Sequence, residues 1–352
     1  MNRFNKNKGS SKLGLFLKIT LILATSALIC VTTYGVYLTK KAENAVNSAY
    51  EAVGNRKLSD KREAKVEPLE DNVSVLFIGV DDSETRGQGA DSSRSDALML
   101  ATLNNKTKTI KLVSIPRDSY VDIPYAGYED KIAHAHALGG TLATIETVEE
   151  LFDIPVDYYV RMNFEAFIDV VDALGGIEAE VPYAMLEKDE FDRYTINLEP
   201  GLQELDGQEA LALARTRKQD SDIERGKRQQ EILAAILSKV ASASSITKYD
   251  DVIEAIGDNM KTDMTFKEMK SFISYLSEGM PRVDTVTLQG YDDMSTGTYY
   301  YALDEEGLEE TKHILQSHLG LISESTTNVS GIPAEEAEEQ TQSDTLESTT
   351  SH

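Results

Sequence analysis

VSVLFIGV, residues 73–80, decides the fold. Six of its eight residues are Val, Leu, Ile or Phe, and a polar loop beginning Asp81–Asp82–Ser83 closes it. A short apolar run without strict alternation, bounded by turn-forming residues, reads as a strand buried on both faces. Two more runs follow, ALMLATL (97–103) and TIKLVSI (109–115), joined by the turn residues Asn104–Asn105–Lys106. Beyond them the period changes. Thr141–Phe152 reads as a helix with Leu142, Ile145, Val148 and Leu151 on one face. Val156–Val160 reads as a short strand, and Phe164–Leu174 as a helix stopped by Gly175–Gly176. Helices are expected at Gln208–Ala214, at Arg228–Ala241 with Ile232, Leu233, Ile236, Leu237 and Val240, and near Phe266–Leu276, before a late strand at Val283–Leu288. Strands alternating with helices predict an α/β domain whose central sheet is covered on both faces.

Working outward, the amino end announces a membrane. Ile19–Leu38 is twenty residues without a formal charge, a helix about 30 Å long and so matched to a bilayer core. Residues 1–18 carry Arg3, Lys6, Lys8, Lys12 and Lys18 and no acid, which keeps this stub cytoplasmic and places the rest outside. A cleaved signal peptide shares the basic start. The run is long for one, however, and no Ala-x-Ala ends it, so an uncleaved anchor is the better reading. Cys30, the only cysteine, lies within this run as a small hydrophobe and excludes any intrachain disulfide. Residues 39–71 read as a stalk and 72–321 as the domain. Residues 322–352, acidic and without Lys or Arg, read as a disordered tail.

With 60 acids against 35 Lys and Arg, the formal charge is −25, which argues against direct nucleic-acid binding. Against that background, Arg215, Arg217, Lys218, Arg225, Lys227 and Arg228 crowd into fourteen residues. Arg225 and Gln229, four apart, share a helix face, with Arg228 nearly on the same side. The cluster suits a multiply charged phosphate or, equally, a surface laced with salt bridges. Asp81 and Asp96 stand at strand ends, where magnesium could use one or two carboxylates with phosphate and water, although most loop aspartates only cap turns. Arg117, after Ile115–Pro116, offers its planar fork to a phosphate or to an acid such as Asp118. His134 and His136 are two apart and read as structural. No Gly-x-Ser-x-Gly elbow, phosphate-binding loop or complete dinucleotide fingerprint is present.

The pieces VSVLFIGVD (73–81), RSDALML (94–100), LVSIPRDSYVDIP (112–124), KIAHAHALGG (131–140), FIDVVDALGGIEAEVP (167–182), GLQELDGQEALALARTRK (201–218) and DIERGKRQQ (222–230) occur in this order. In order and spacing they resemble the LytR–CpsA–Psr family of bacterial cell-envelope proteins. The resemblance implies a central mixed sheet flanked by helices on both faces, preceded by one transmembrane helix. It also implies a phosphotransferase that takes a glycopolymer, such as teichoic acid or capsule, from a polyprenyl-pyrophosphate carrier. The acceptor would be peptidoglycan, in a Gram-positive envelope. By resemblance Asp81 and Asp96 would bind magnesium, with manganese as a substitute, and Arg117, Arg215, Arg217, Arg225 and Gln229 would hold the pyrophosphate. Asp81, Asp96, Arg117, Asp118, Arg215 and Arg217 form the expected catalytic set, with Arg86, Arg94, Lys131, Asp222 and Arg228 as further candidates.

Two local departures from the family pattern stand out. Asp81 is followed by Asp82–Ser83–Glu84–Thr85–Arg86 where the family often has Asp-Ser/Thr-Arg, and Ser221–Asp222–Ile223–Glu224–Arg225 replaces Gly-Asp-Phe-Gly-Arg. The acceptor proton would pass to Asp96 or Asp118. Ile232, Leu233, Ile236 and Leu237 would line a lipid tunnel or simply fill the core; periodicity fits both. The alternative function is a non-catalytic binder of polyprenyl phosphate or glycopolymer that regulates envelope assembly.

Overall fold

The computed structural model describes residues 12–81, 93–189, 193–217, 221–241, 260–277 and 279–322. Its centre is β1 (Val73–Val80), β2 (Ser95–Asn104) and β3 (Thr109–Ile115), an antiparallel trio extended on both sides. β6 (Tyr158–Met162) lies parallel to β1, β11 (Met260–Thr262) antiparallel to β6, and β12 (Arg282–Thr287) parallel to β3. The order β11-β6-β1-β2-β3-β12 is therefore a mixed sheet.

The pleat sends alternate residues to opposite faces. Leu76, Ile78, Leu98, Leu100 and Val113 pack beneath α2 (Ile132–Phe152) and a late helix, numbered α7 (Glu305–Leu319). Val73, Val75, Met99, Ala101 and Leu112 face α5 (Asp222–Ala241) and α6 (Phe266–Ser277). Helices thus flank both faces, as expected.

Beside the second face, α3 (Phe164–Ala173) and α4 (Gly207–Arg215) share a smaller core with two ribbons. One pairs β7 (Ile177–Val181) with β10 (Gly201–Leu205), the other β8 (Met185–Lys188) with β9 (Tyr194–Leu198). Two further hairpins, β4–β5 (Tyr120–Ile123, Tyr128–Lys131) and β13–β14 (Gly290–Asp293, Tyr300–Leu303), complete the body. All four ribbons escaped the sequence reading, because short half-exposed strands carry few apolar residues to mark a period.

Several boundaries move for identifiable reasons. α2 is two helical pieces joined across Gly139 and Gly140, whose backbone is non-helical with Gly140 at φ 63°; the second piece starts at Thr141 as expected, and the piece from Ile132 before it is an addition. The strand expected from Val156 begins at Tyr158, since the Val156 N–H donates to Glu149 Oε1 at 2.7 Å instead of to a neighbouring strand. The helix expected from Arg228 begins six residues earlier, at Asp222.

The stalk expected at 39–71 is also corrected. α1 (Lys12–Ala49) runs on past the expected anchor and buries Ala42, Val46 and Ala49. Val53 and Val66 follow into the cores, Glu51 N donates to Thr262 O at 2.8 Å, and Arg56 and Arg62 pair with Glu149 and Asp157 at 2.8 and 2.7 Å. A stretch rich in charge looked solvated by composition, yet its arginines meet buried carboxylates and its few apolar residues are spent on the body. Many side chains of 19–38 lie outside the described residues, and among the described ones no helix is long and apolar enough to cross a membrane. The acidic tail from Ser323 onward also lies outside them.

Candidate functional site

Strand pairing gathers the candidate acids and Arg117 at one end of the sheet. The β1–β2 register shifts between Gly79 and Val80, leaving Val80 opposite Ser95. Such a bulge re-aims the residues that follow. Asp81 leaves β1 there, and Asp96 is the second residue of β2. β3 runs back alongside β2, with Ile115 opposite Leu98, so Pro116 delivers Arg117 to the same end, where Arg117 Nη1 bonds Asp96 Oδ1. Met162, level with Gly79, ends β6 there too, and Asn163 caps α3 by accepting from Ala166 N at 2.9 Å.

The basic cluster arrives from α4 and α5. A capping box starts α4: Asp206 accepts from Glu209 N at 2.9 Å while Glu209 accepts from Asp206 N at 3.0 Å. Each such cap stabilises the helix by about 1 kcal/mol. At its other end the Arg215 guanidinium lies 4.3 Å from the Phe164 ring centre. Arg228 is buried and donates to the carbonyls of Leu213 and Thr216 at 3.1 and 2.8 Å, tying the α4–α5 connection to α5. Gly226 lets α5 lie against β3, because a Cβ there would stand 2.6 Å from Ser114 Oγ. The next turn of α5 is pinned by Gln230, which donates to Leu112 O and Val286 O at 2.9 and 3.0 Å.

Between the sheet and α3, α4 and α5 lies a cavity of about 540 Å³. Its lining includes Asp81, Asp96, Arg117, Arg215, Arg217, Arg225 and Gln229, and also Ile232, Leu233, Ile236 and Leu237. The four apolar residues of α5 thus line a void rather than only filling the core. Phe77, Met99, Phe164 and Phe167 supply further apolar wall. Arg225 to Leu237 spans twelve helical rises, so the lining extends about 18 Å away from the charged end.

That end is built for an anion. Arg225, its side chain 5% exposed, pairs with Asp222 at 3.0 Å, and Asp222 also stands 3.7 Å from Arg217. Burial, chiefly, and the neighbouring Arg217 and Arg117 push its pKa down despite Asp222. Arg117 Nε and Arg225 Nε are buried and without a hydrogen-bond partner among the described residues. A buried guanidinium with an unused donor is costly, and an oxyanion accepting from both would relieve it. Asp81 and Asp96 beside this anion site are a hard-oxygen pair of the kind magnesium takes together with phosphate oxygens. The donor set fits that ion.

Other candidates fall outside this lining. Asp118 is held by Lys131 at 2.7 Å and stands 4.0 Å from Arg117 Nε. Arg94 is exposed. Arg86 lies outside the described residues. His134 pairs with Asp130 and His136 with Ser93 O, each at 2.7 Å. Asn163, Phe164 and Phe167 were missed in the sequence; Asn163 carried an N-cap signal, while the Phe residues were indistinguishable from core.

A family profile described as the LytR_cpsA_psr family matches residues 36–317. The chain is similar to the polyisoprenyl-teichoic acid–peptidoglycan teichoic acid transferase TagT of Bacillus subtilis (strain 168), at 41% identity over 91% of this chain and 99% of the relative. It is 33% identical to TagU of Enterococcus faecalis (strain ATCC 700802 / V583), over 89% of this chain and 99% of that one. Among solved structures it is similar to TagT bound to LIIa-WTA, with TM-score 0.67 and 40% identity over 77% of this chain and 99% of that chain. The LytR-CPS2A-psr family protein YwtF (TagT) with bound octaprenyl pyrophosphate lipid gives TM-score 0.62 and 37% identity over 77% and 99%.

Proposed function

The chain belongs to the LytR–CpsA–Psr family, and from that premise we propose how its cavity performs the family's chemistry. It is a transferase that moves a phosphate-linked glycopolymer from a polyprenyl-pyrophosphate carrier to peptidoglycan. The observation that carries this reading is one cavity with two chemistries: an apolar wall running along α5, and arginines with unused donors at its end. A polyprenyl pyrophosphate has the same two halves.

The acceptor hydroxyl oxygen bonds to the phosphorus that carries the saccharide. The bond from that phosphorus to the bridging oxygen breaks, and polyprenyl monophosphate leaves along the apolar wall. Such a transfer needs charge neutralised and the reacting atoms aligned more than it needs covalent help from the protein. Arg117 and Arg225 would turn guanidinium donors to the pyrophosphate, with Arg215 and Arg217 completing the clamp and Gln229 adding an amide donor. A donor that tightens on developing charge contributes about 3 kcal/mol. Asp81 and Asp96 would hold magnesium or manganese, which supplies Lewis-acid neutralisation of the pyrophosphate and a better leaving group. Of the two carboxylates considered for the acceptor proton, both are ion-paired, Asp96 with Arg117 and Asp118 with Lys131, and Asp96 is the one that lines the cavity, which favours it.

Ile19–Leu38 would anchor the chain by a single pass, with the amino end in the cytoplasm and the domain outside. That arrangement confines the enzyme to the surface in which its donor lipid lies. Residues 322–352 would trail from it as an acidic tail.

The test incubates the full chain with a polyprenyl-pyrophosphate-linked saccharide, a peptidoglycan acceptor and magnesium, and follows products by mass spectrometry. A saccharide joined to the acceptor through a phosphodiester is expected. Binding of the donor without any such product would instead establish a non-catalytic lipid binder.

A further inference from the structure

The cavity accounts for the donor and leaves the acceptor without a seat. Beside its charged end, the hairpins β4–β5 and β13–β14 meet. Tyr301 N donates to Asp118 O at 2.9 Å and Ser119 bridges to Tyr301, so β13–β14 is fixed to the segment just after Arg117. The rings of Tyr120 and Tyr300 meet edge to face, with centroids 4.7 Å apart at 65°. Lys131 Nζ lies 5.6 and 5.7 Å from the Tyr299 and Tyr300 ring centres, while its charge is held by Asp118. Tyr299 donates to Asp292 Oδ1 at 2.9 Å. Burial and Asp292 raise its phenol, and Asp222 and Asp118 are close enough to raise it further. Asp118, which holds Lys131, stands 4.0 Å from Arg117 of the cavity lining, so the tyrosine cluster adjoins the charged end of the cavity.

This surface has a definite chemistry. Tyr120 is 42% exposed and Tyr291, on the neighbouring hairpin, 64%. In the β4–β5 register Tyr120 stands opposite Lys131, with Asp122 and Glu129 on the same face. Exposed rings offer apolar faces with a polar tip, and the carboxylates around them accept hydroxyl hydrogen bonds. A sugar ring, apolar on its C–H face and hydroxylated at its edge, matches both. The charge narrows the choice. Asp122, Glu129, Asp292 and Asp293 outnumber Lys131, and a phosphate-rich polymer is repelled by such a surface while a neutral N-acetylated glycan is not. In-line displacement also requires the nucleophile to approach from the side opposite the departing polyprenyl phosphate, outside the apolar cavity.

We propose that the tyrosine platform formed by Tyr120, Tyr299 and Tyr300 is the acceptor subsite, and that it stacks a sugar of the peptidoglycan glycan strand beside the pyrophosphate site. The identity of this ligand as the acceptor rests on the transferase reading.

The test titrates the full chain in detergent with a soluble oligosaccharide of alternating N-acetylglucosamine and N-acetylmuramic acid whose lactyl carboxyls are amidated and so uncharged, read by calorimetry and saturation-transfer NMR. Octaprenyl pyrophosphate is titrated separately. Tyr120→Ala and Tyr300→Ala should each weaken the glycan about tenfold, Tyr300→Phe should stay within about twofold, and lipid affinity should hold in all three. In the transfer assay the acceptor KM rises with the same two Ala substitutions. No binding of the oligosaccharide to the parent chain, unchanged glycan affinity in both Ala variants, or an equal loss of lipid affinity overturns the proposal. Glycan binding that responds to these tyrosines in a chain that makes no phosphodiester product would keep the platform and remove the transferase reading.

Discussion

The two faces of the six-stranded sheet are built from similar residues and put to different use. Under α2 and α7, Leu76, Ile78, Leu100, Ile145, Val148 and Phe152 are at most 1% exposed and enclose one another. Under α5, Leu233, Ile236 and Leu237 are only partly buried and border a void of about 540 Å³. A void removes the dispersion partners of the atoms that line it, so this face gives up stability that the other keeps. Particular polar groups differ as well. On the closed face His318 is satisfied by Thr102 and Thr109, each at 2.8 Å. On the open face Arg117 Nε and Arg225 Nε have no hydrogen-bond partner among the described residues. One face holds the fold, and the other holds space and charge for a ligand.

Removing a large side chain should hurt most where packing is complete. Phe152→Ala is expected to lower unfolding free energy by about 4 kcal/mol in a denaturant titration. A loss below about 1 kcal/mol would show that the closed face is not the stabilising one.

Acid should attack the same face. Burial lowers the His318 pKa to about 4 from an ordinary 6.5, so the native state favours the neutral ring. The unfolded chain then binds the proton first, and the stability present above pH 6.5 drains away as pH falls towards about 4. Up to about 3 kcal/mol is at stake. His318→Gln, compared with the parent chain across that window, should flatten the pH dependence.

On the open face, Arg117→Ala should leave the cooperative unfolding transition in place and cut transfer by about a hundredfold or more, the loss of one donor worth about 3 kcal/mol. The smallest effect is expected from Ile236→Ala. With cavity already on one side, it should cost about 1 kcal/mol, less than the usual 2–5 for a packed core position.

This division explains what the sequence could convey. β1 and β3 were legible to the residue because both faces of each are covered and apolar residues predominate in each. The candidate residues Asp81, Asp96, Arg117, Arg215, Arg217, Arg225 and Gln229 were named through family resemblance, and all seven line one cavity. Whether Ile232, Leu233, Ile236 and Leu237 border a void or pack solidly was not, since helical periodicity records which side is apolar and not what lies against it. Asp118 and Arg228 share the charge of the true lining residues; only their partners, Lys131 and the Leu213 and Thr216 carbonyls, set them apart. The segment after the expected anchor was misread for a related reason. Arg56 and Arg62 look solvated until Glu149 and Asp157, about a hundred residues away, are brought beside them.

The most direct test of the central claim fills the open face and leaves the arginines alone. Ile236→Trp in the full chain should unfold with the parent's cooperativity yet bind octaprenyl pyrophosphate at least about tenfold more weakly by calorimetry, with inorganic pyrophosphate affinity unchanged. Octaprenyl pyrophosphate affinity equal to the parent's would contradict the account, because the lipid would then lie somewhere other than along α5.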